Sequence, residues 1–239
     1  ASYRIYRSTE NPPASSAVYA STSSTQFVDA GLAVDATYYY RLSAVDQRGQ
    51  ESVKTSWAAV PPSGGLSGSA ISNASILWLW QDVTGETGYR LYSSTGGSPL
   101  VQLGANSNTW LETGLQVNTR YDRALRAYDV LGESPDSNIA SRYTLANPPS
   151  GLVVLGVTES SVALEWQANG NPAGTVYALQ RSLDGIAYGE VASGLTASSY
   201  TAAGLASLTT YYFKVRAENR EGVNTPFSNT VSTITAISL

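Results

Sequence analysis

The residues with the clearest capacity for chemistry in this 239-residue chain are its tyrosines and arginines. They alternate with apolar residues along short strand-like segments, so in half-buried strands they share the outward face. Such side chains give much of the binding energy at protein interfaces and also stack on sugars. They can instead pair across strands by cation–π and stacking contacts and bind nothing else. The candidate positions are Arg4, Tyr6, Tyr39, Arg41, Arg90, Tyr92, Arg126, Tyr212, Lys214 and Arg216.

The residue types needed for most catalytic mechanisms are missing. The chain has no histidine and no cysteine, so it lacks the commonest general base, the commonest metal ligand and a common nucleophile. Its carboxylates have neither the spacing of a calcium-binding loop nor a recognisable glycosidase pairing. We therefore predict that the chain is not an enzyme and has no catalytic residue, no cofactor and no metal site.

The composition narrows the possible partners. The formal net charge is −4, whereas binding to nucleic acid needs a clustered excess of lysine and arginine. No apolar run approaches the roughly 20 residues of a membrane-spanning helix. Only 13% of residues are charged, and a surface rich in hydroxyls and amides is typical of extracellular β proteins. These features predict a secreted or cell-surface protein with no nucleic-acid partner and no membrane span.

One three-part pattern occurs three times along the chain. The segment YRIYRST at 3–9 returns as YRLYSST at 89–95 and, more loosely, as YALQRSL at 177–183. Each copy is followed by Gly-Leu and, six residues after that leucine, by a tyrosine that opens a second apolar alternation. These tyrosines are Tyr38, Tyr121 and Tyr211. Their intervals of 83 and 90 residues correspond to one small domain per repeat.

Two proline-rich segments separate the repeats. VPPSG at 60–64 and NPPSG at 147–151 each follow the last strand-like run of one repeat and precede the first run of the next. Paired prolines stiffen a linker and cannot join a central ladder. The predicted domains are residues 1–60, 61–146 and 147–239.

The alternation in the third repeat is that of antiparallel strands. In SVALEW, Val162, Leu164 and Trp166 share one face, while Ala163 and Glu165 share the other. Asp184-Gly185 lies between two strand-like runs and predicts a hairpin. Helical periodicity is essentially absent, so the predicted fold class is all-β.

These segments resemble a fibronectin type III domain. The resemblance rests on NPPSGLVVLGVTESSVALEWQ at 147–167 and GLASLTTYYFKVRAENREG at 204–222. It implies tandem immunoglobulin-like β-sandwiches with a strand-B tryptophan and a corner tyrosine, and it implies little about function because this fold hosts many roles. The second repeat is similar through Trp80, Leu115, Tyr121, Leu125 and Ala127. The first is similar through Tyr3, Ile5, Leu32, Tyr38, Tyr40, Leu42 and Ala44.

The first repeat resembles the family only from strand C onward. By comparison with the other repeats it lacks strands A and B and their core tryptophan, which would leave an apolar sheet face and an unpaired edge. Either the natural chain continues upstream, or another molecule supplies the missing strands by β-strand addition.

Strand B of the second repeat carries a second unusual feature. In ASILWLW at 74–80, Ile76, Trp78 and Trp80 are expected to face inward, which turns Leu77 and Leu79 outward. These two leucines are either a contact patch or a surface covered by a neighbouring domain or loop.

Together these features predict a non-enzymatic structural or interaction protein. The preferred hypothesis is a repeat region of a bacterial surface or filament-forming assembly, whose partners are other proteins, including copies of itself. The alternative is a spacer or a carbohydrate-binding accessory region of a larger secreted enzyme, which allows glycans as partners.

Overall fold

The computed structural model describes residues 1–10, 17–30, 32, 36, 38–55, 58–60, 65–83, 86–129 and 132–237. Every helix or strand found in this part of the chain is a β-strand, which confirms the predicted all-β class. The strands pair with their neighbours in antiparallel ladders wherever the register is defined. Residues 61–64 of the first proline-rich linker lie outside the described residues.

The described residues of the first repeat form one four-stranded sheet in the order β2-β1-β3-β4. This is the predicted half of a sandwich. Tyr3 pairs with Ala44 and Tyr6 with Arg41, which sets the two long strands side by side. The strands are β1 (Ser2–Ser8), β2 (Ala20–Thr22), β3 (Tyr38–Val45) and β4 (Ala58–Val60).

The second repeat contributes two sheets. One has the order β5-β6-β9, and the other has the order β11-β10-β7-β8 with β12 also paired to β10. Ile76, Trp78 and Trp80 are buried, as the alternation of this segment predicts. The strands are β5 (Ser67–Ser72), β6 (Ser75–Leu79), β7 (Gly88–Ser93), β8 (Val101–Gly104), β9 (Thr109–Thr113), β10 (Arg120–Asp129), β11 (Gly132–Glu133) and β12 (Ala140–Tyr143).

The third repeat forms sheets of three and four strands, in the orders β13-β14-β17 and β16-β15-β18-β19. Its core contains Val162, Leu164 and Trp166, as predicted, and Trp166 meets Tyr177 with ring centroids 5.6 Å apart. The strands are β13 (Ser150–Val157), β14 (Ser161–Gln167), β15 (Val176–Ser182), β16 (Gly189–Leu195), β17 (Ser199–Ala203), β18 (Thr210–Glu218) and β19 (Val231–Ile234).

The described chain divides into two compact units. The first comprises residues 1–68, 78–110 and 122–141, and it holds the first repeat and most of the sheet around β7. The second comprises residues 69–77, 111–121 and 142–239, and it holds the whole third repeat. The domain boundaries proposed from the linkers stay a prediction.

Candidate interaction face

Two candidate side chains of the first repeat lie on β1, and two of the second repeat lie at matching positions on β7. Arg4 and Tyr6 of β1 correspond to Arg90 and Tyr92 of β7 in the repeated pattern. Residues two apart on a strand share one face of the sheet, so each pair lies on a single face. The neighbouring strand in that sheet is β3 for the first pair and β10 for the second. The sequence therefore builds the same Arg-x-Tyr pair twice, 86 residues apart.

The turn that follows β3, β10 or β18 is called the F–G turn of its repeat. In the first two repeats, a serine just after this turn bonds back to the strand before it. Ser52 N donates to Ala44 O at 2.8 Å, and Ala44 N donates to Ser52 Oγ at 2.9 Å. Ser134 makes the same two hydrogen bonds with Ala127, at 2.9 and 3.1 Å. Because each serine is preceded by a glutamate, this double hydrogen bond places a carboxylate beside each Arg-x-Tyr pair.

Glu51 is the acceptor that organises the face of the first repeat. Arg4 Nη1 donates to Glu51 Oε2 at 2.7 Å, and the Tyr6 hydroxyl and Ser43 Oγ both donate to Oε1. Hydrogen bonds to the ionised form favour that form. The donations from Ser43, Tyr6 and Arg4 therefore lower the pKa of Glu51 to about 2, against the opposing effect of burial.

Glu133 has the same role in the second repeat. It accepts from Arg90 Nη1, from the Tyr92 hydroxyl at 2.8 Å and from Arg126 Nη1 at 3.2 Å. Burial raises the pKa of this carboxyl, but the three donors outweigh it and hold the pKa below its usual value. Arg126 also donates from Nε to Asp136 Oδ1 at 2.6 Å, so the second repeat carries a connected ionic network.

Cations cover the tyrosine rings of both faces. The Arg126 guanidinium lies 4.4 Å from the Tyr92 ring centroid, and Lys54 Nζ lies 4.1 Å from that of Tyr6. Both distances are within cation–π range. Tyr6 is only 1% exposed and Tyr92 only 7%. These rings therefore offer little surface to a partner, because residues of this chain already occupy their faces and hydroxyls.

The third repeat does not carry this arrangement. Ala178 and Gln180 stand at the positions of the Arg-x-Tyr pair, and Asn224 precedes the threonine that corresponds to Ser52 and Ser134. Lys214 Nζ instead lies 3.8 Å from the Tyr188 ring and 4.2 Å from the Phe227 ring. The third face is a cation–aromatic cluster without a central carboxylate.

The remaining candidate residues differ in exposure. Tyr39 is buried, and Arg4, Arg41, Arg90, Tyr212 and Arg216 are partly exposed. Arg216 Nη2 lies 3.8 Å from Glu190 Oε2, and the Tyr212 ring lies against Gly185. On β6, Leu77 is half-buried and Leu79 is 36% exposed. Binding of a partner by any of these residues stays a prediction.

The sequence patterns do not predict the roles of Glu51 and Glu133. The available signal was the Glu-Ser pair that follows the F–G glycine in the first two repeats, after Gly49 and Gly132. The glutamate and the Arg-x-Tyr pair lie on different segments of the chain. The polarity pattern of one strand does not show which residues of another segment lie beside it.

The described residues contain no cluster of three or more Asp, Glu, His or Cys side chains that could hold a metal ion. In the same part of the chain, no helix is long and apolar enough to cross a bilayer.

The fold and the repeated strand pattern define a class, that of immunoglobulin-like β-sandwich proteins built from tandem domains. Residues 147–234 match the sequence profile of the fibronectin type III domain, and this segment belongs to that family. The corner tyrosines that the resemblance implies are present, because Tyr121 Oη accepts from Gln116 N at 2.8 Å and Tyr211 Oη from Ala206 N at 3.0 Å. The predicted resemblance to tandem fibronectin type III domains is thus confirmed.

Two curated relatives align over most of the chain. Exoglucanase B of Cellulomonas fimi is 28% identical over 83% of this chain and 20% of its own length. Chitinase A1 of Niallia circulans is 30% identical over 77% of this chain and 27% of its own length. A solved two-domain fibronectin type III segment of chicken tenascin is 18% identical, with a TM-score of 0.48 over 74% of this chain and 99% of that one. The chain therefore spans about a quarter or less of the length of either enzyme.

Proposed function

We propose that this chain is a non-catalytic spacer region of a larger secreted enzyme that acts on a polysaccharide. The observation that carries the proposal is the pattern of coverage. An exoglucanase and a chitinase each contain a segment similar to most of this chain, and that segment is a minor part of each enzyme. Because similar regions occur in enzymes with two different activities, we expect such a region to position the other domains of the enzyme and not to take part in catalysis.

The side-chain contacts agree with a spacer. The Arg-x-Tyr pairs of the first two repeats are engaged by Glu51 and Glu133 of the same chain. A face whose donors are already satisfied gains little from a partner, because existing hydrogen bonds must be broken first. Such faces stabilise each sheet and keep the surface of the spacer polar.

The filament hypothesis has weaker support. It rests on the half sandwich of the first repeat, the outward Leu77 and Leu79, and the repeated tyrosine faces. The relatives favour the alternative, that of a region within a secreted enzyme.

The test is a sedimentation experiment on the full 239-residue chain with insoluble cellulose and with insoluble chitin, paired with light scattering at rising concentration. We expect the chain to remain in the supernatant and to keep the 25.2 kDa mass of a monomer. Sedimentation with either polysaccharide would replace the spacer with a carbohydrate-binding region. Growth of the mass with concentration would instead favour the assembly hypothesis.

A further inference from the structure

The junction between the second and third repeats is bridged by asparagine side chains. It lies wholly within the second compact unit. The loops that meet there are the turn before β10, the residues after β12, the loop between β14 and β15, and the turn that follows β18. Their contacts hold the two repeats together on both sides of the proline-rich linker.

Asn118 is the first of these bridges. Its Nδ2 donates to Thr175 Oγ1 at 3.0 Å, and its Oδ1 accepts from Arg220 N at 3.1 Å. Both partners belong to the third repeat, and Asn118 itself is 2% exposed. Opening the junction would therefore leave both ends of this amide without their partners.

The corresponding position of the third repeat shows that the turn does not require asparagine. Leu208, three residues before Tyr211, corresponds to Asn118, three residues before Tyr121. Both have positive φ, 49° and 45°. Leu208 is 60% exposed and has no side-chain amide that could bond to a neighbouring repeat. The positive φ alone therefore does not require asparagine at position 118, whereas the two hydrogen bonds to the third repeat do use its side-chain amide.

Asn219 is the second bridge, and it shows the same specialisation. Its Oδ1 accepts from Glu221 N at 3.0 Å and Val223 N at 2.9 Å, which closes the F–G turn. Asp46 and Asp129 close the equivalent turns of the other repeats with a carboxylate oxygen. Unlike aspartate, Asn219 also has a side-chain donor, and its Nδ2 donates to Thr144 O at 3.3 Å.

The linker is held by a third set of amides. Asn147 N donates to Asn171 Oδ1 at 2.7 Å, and Asn171 Nδ2 returns a hydrogen bond to Asn147 O at 2.8 Å. From the second repeat, Asn73 Nδ2 donates to Asn147 Oδ1 at 2.6 Å. The first residue of the linker is thus fixed to both repeats.

We propose that Asn118, Asn219 and Asn147 lock the third repeat rigidly to the part of the second repeat that lies in the same compact unit, residues 69–77, 111–121 and 142–146. Asn118 and Asn219 are each 2% exposed, so their amides are satisfied by protein partners in the closed junction, and opening it would break those hydrogen bonds and require water to replace them. A spacer with such a joint transmits orientation as well as distance. This inference concerns the joint alone and does not depend on the enzyme to which the spacer belongs.

The experiment is a spin-label distance measurement on the full chain. Because the chain has no cysteine, two labels can be placed without background. Thr113→Cys and Ser199→Cys put one label on an exposed strand position of each repeat, and Ser199→Cys with Ser232→Cys gives a reference pair inside the third repeat. We expect a single distance distribution for the first pair, as narrow as that of the reference pair.

Two variants replace the donor group with a carboxylate oxygen, which also adds a negative charge to each buried site. Asn118→Asp keeps the acceptor for Arg220 N but loses the donor to Thr175, and Asn219→Asp restores the residue type of the other F–G turns. Together they are expected to broaden the inter-repeat distribution at least twofold and to leave the reference pair narrow. An unchanged reference pair shows that the third repeat remains folded.

A control for the same Asn-to-Asp exchange at an exposed position is Asn229→Asp. Asn229 bridges Leu152 N and Leu152 O inside the third repeat, at 3.0 and 2.9 Å, so its loss should not widen the inter-repeat distances. A broad distribution in the parent chain, or no effect of the paired Asn118 and Asn219 variants, would overturn the lock. Neither result bears on the sedimentation test of the spacer.

Discussion

At the residue scale, two glutamates stabilise the predicted tyrosine–arginine faces. Glu133→Gln keeps the shape of the side chain but removes the charge that three donors share. Hydrogen bonds to charged groups contribute about 1.5–3 kcal/mol, so we expect a loss of that size in the free energy of opening of β7 and β10. Hydrogen exchange of those strands measures it.

The control for this prediction is Glu190→Gln. Glu190 pairs with Arg216 at 3.8 Å and is well exposed, so its substitution should cost only about 0–1 kcal/mol. Equal effects of the two substitutions would mean that Glu133 makes only an ordinary surface ion pair.

The same carboxylates predict how stability depends on pH. The folded-state pKa values of Glu51, about 2, and Glu133 are lowered, whereas an unfolded glutamate titrates near about 4.3. Between these values the unfolded chain binds more protons, so stability is full above about pH 4.3 and is lost as the pH falls toward about 2. Urea unfolding across this range measures the loss. Glu133→Gln should show a shallower fall than the parent chain, and identical curves would contradict the assignment.

At the scale of elements, local patterns predict much of the fold. The alternation of Val162, Leu164 and Trp166 is enough to orient β14, because a period of two defines its buried face. Asp184-Gly185 correctly predicts the hairpin of β15 and β16. The connection spans six residues rather than two, since Asp184 Oδ1 accepts from Ile186 N and Ala187 N and holds a wider loop.

The glutamate sites and the asparagine junction could not be predicted in the same way. Glu133 lies 43 residues from Arg90 in the sequence, and Asn118 lies 57 residues from Thr175. Such pairs depend on how loops and strands are brought together in three dimensions. Polarity patterns of single strands contain no information about that arrangement.

The corner tyrosine gives a prediction at this scale. Tyr211→Phe removes the acceptor of Ala206 N and leaves a main-chain donor without its partner. Because Ala206 is exposed and water can replace the acceptor, we expect the third repeat to lose about 0.5–1.5 kcal/mol of unfolding free energy, measured by the exchange of β18 amides. Tyr188→Phe is the control, since that ring contacts Lys214 through its face and the substitution preserves the contact. Equal losses would argue against a role for the corner.

At the scale of the whole molecule, the first and third repeats differ in the number of sheets that the structure describes. The described part of the first repeat is a single sheet, whereas the third is a complete sandwich with its own core. The second and third repeats meet at a junction in which named amides are satisfied from both sides. These features suit a region that holds other parts of a protein at a set distance and direction.

A spacing role of this chain can be measured in a chimera of Niallia circulans chitinase A1. In this chimera the present chain replaces the segment with which it aligns, and turnover of insoluble chitin is compared with that of the parent enzyme and of a variant lacking the segment. We expect the chimera to be more active than the deletion variant and to approach the activity of the parent enzyme. A chimera no more active than the deletion variant would contradict a spacing role.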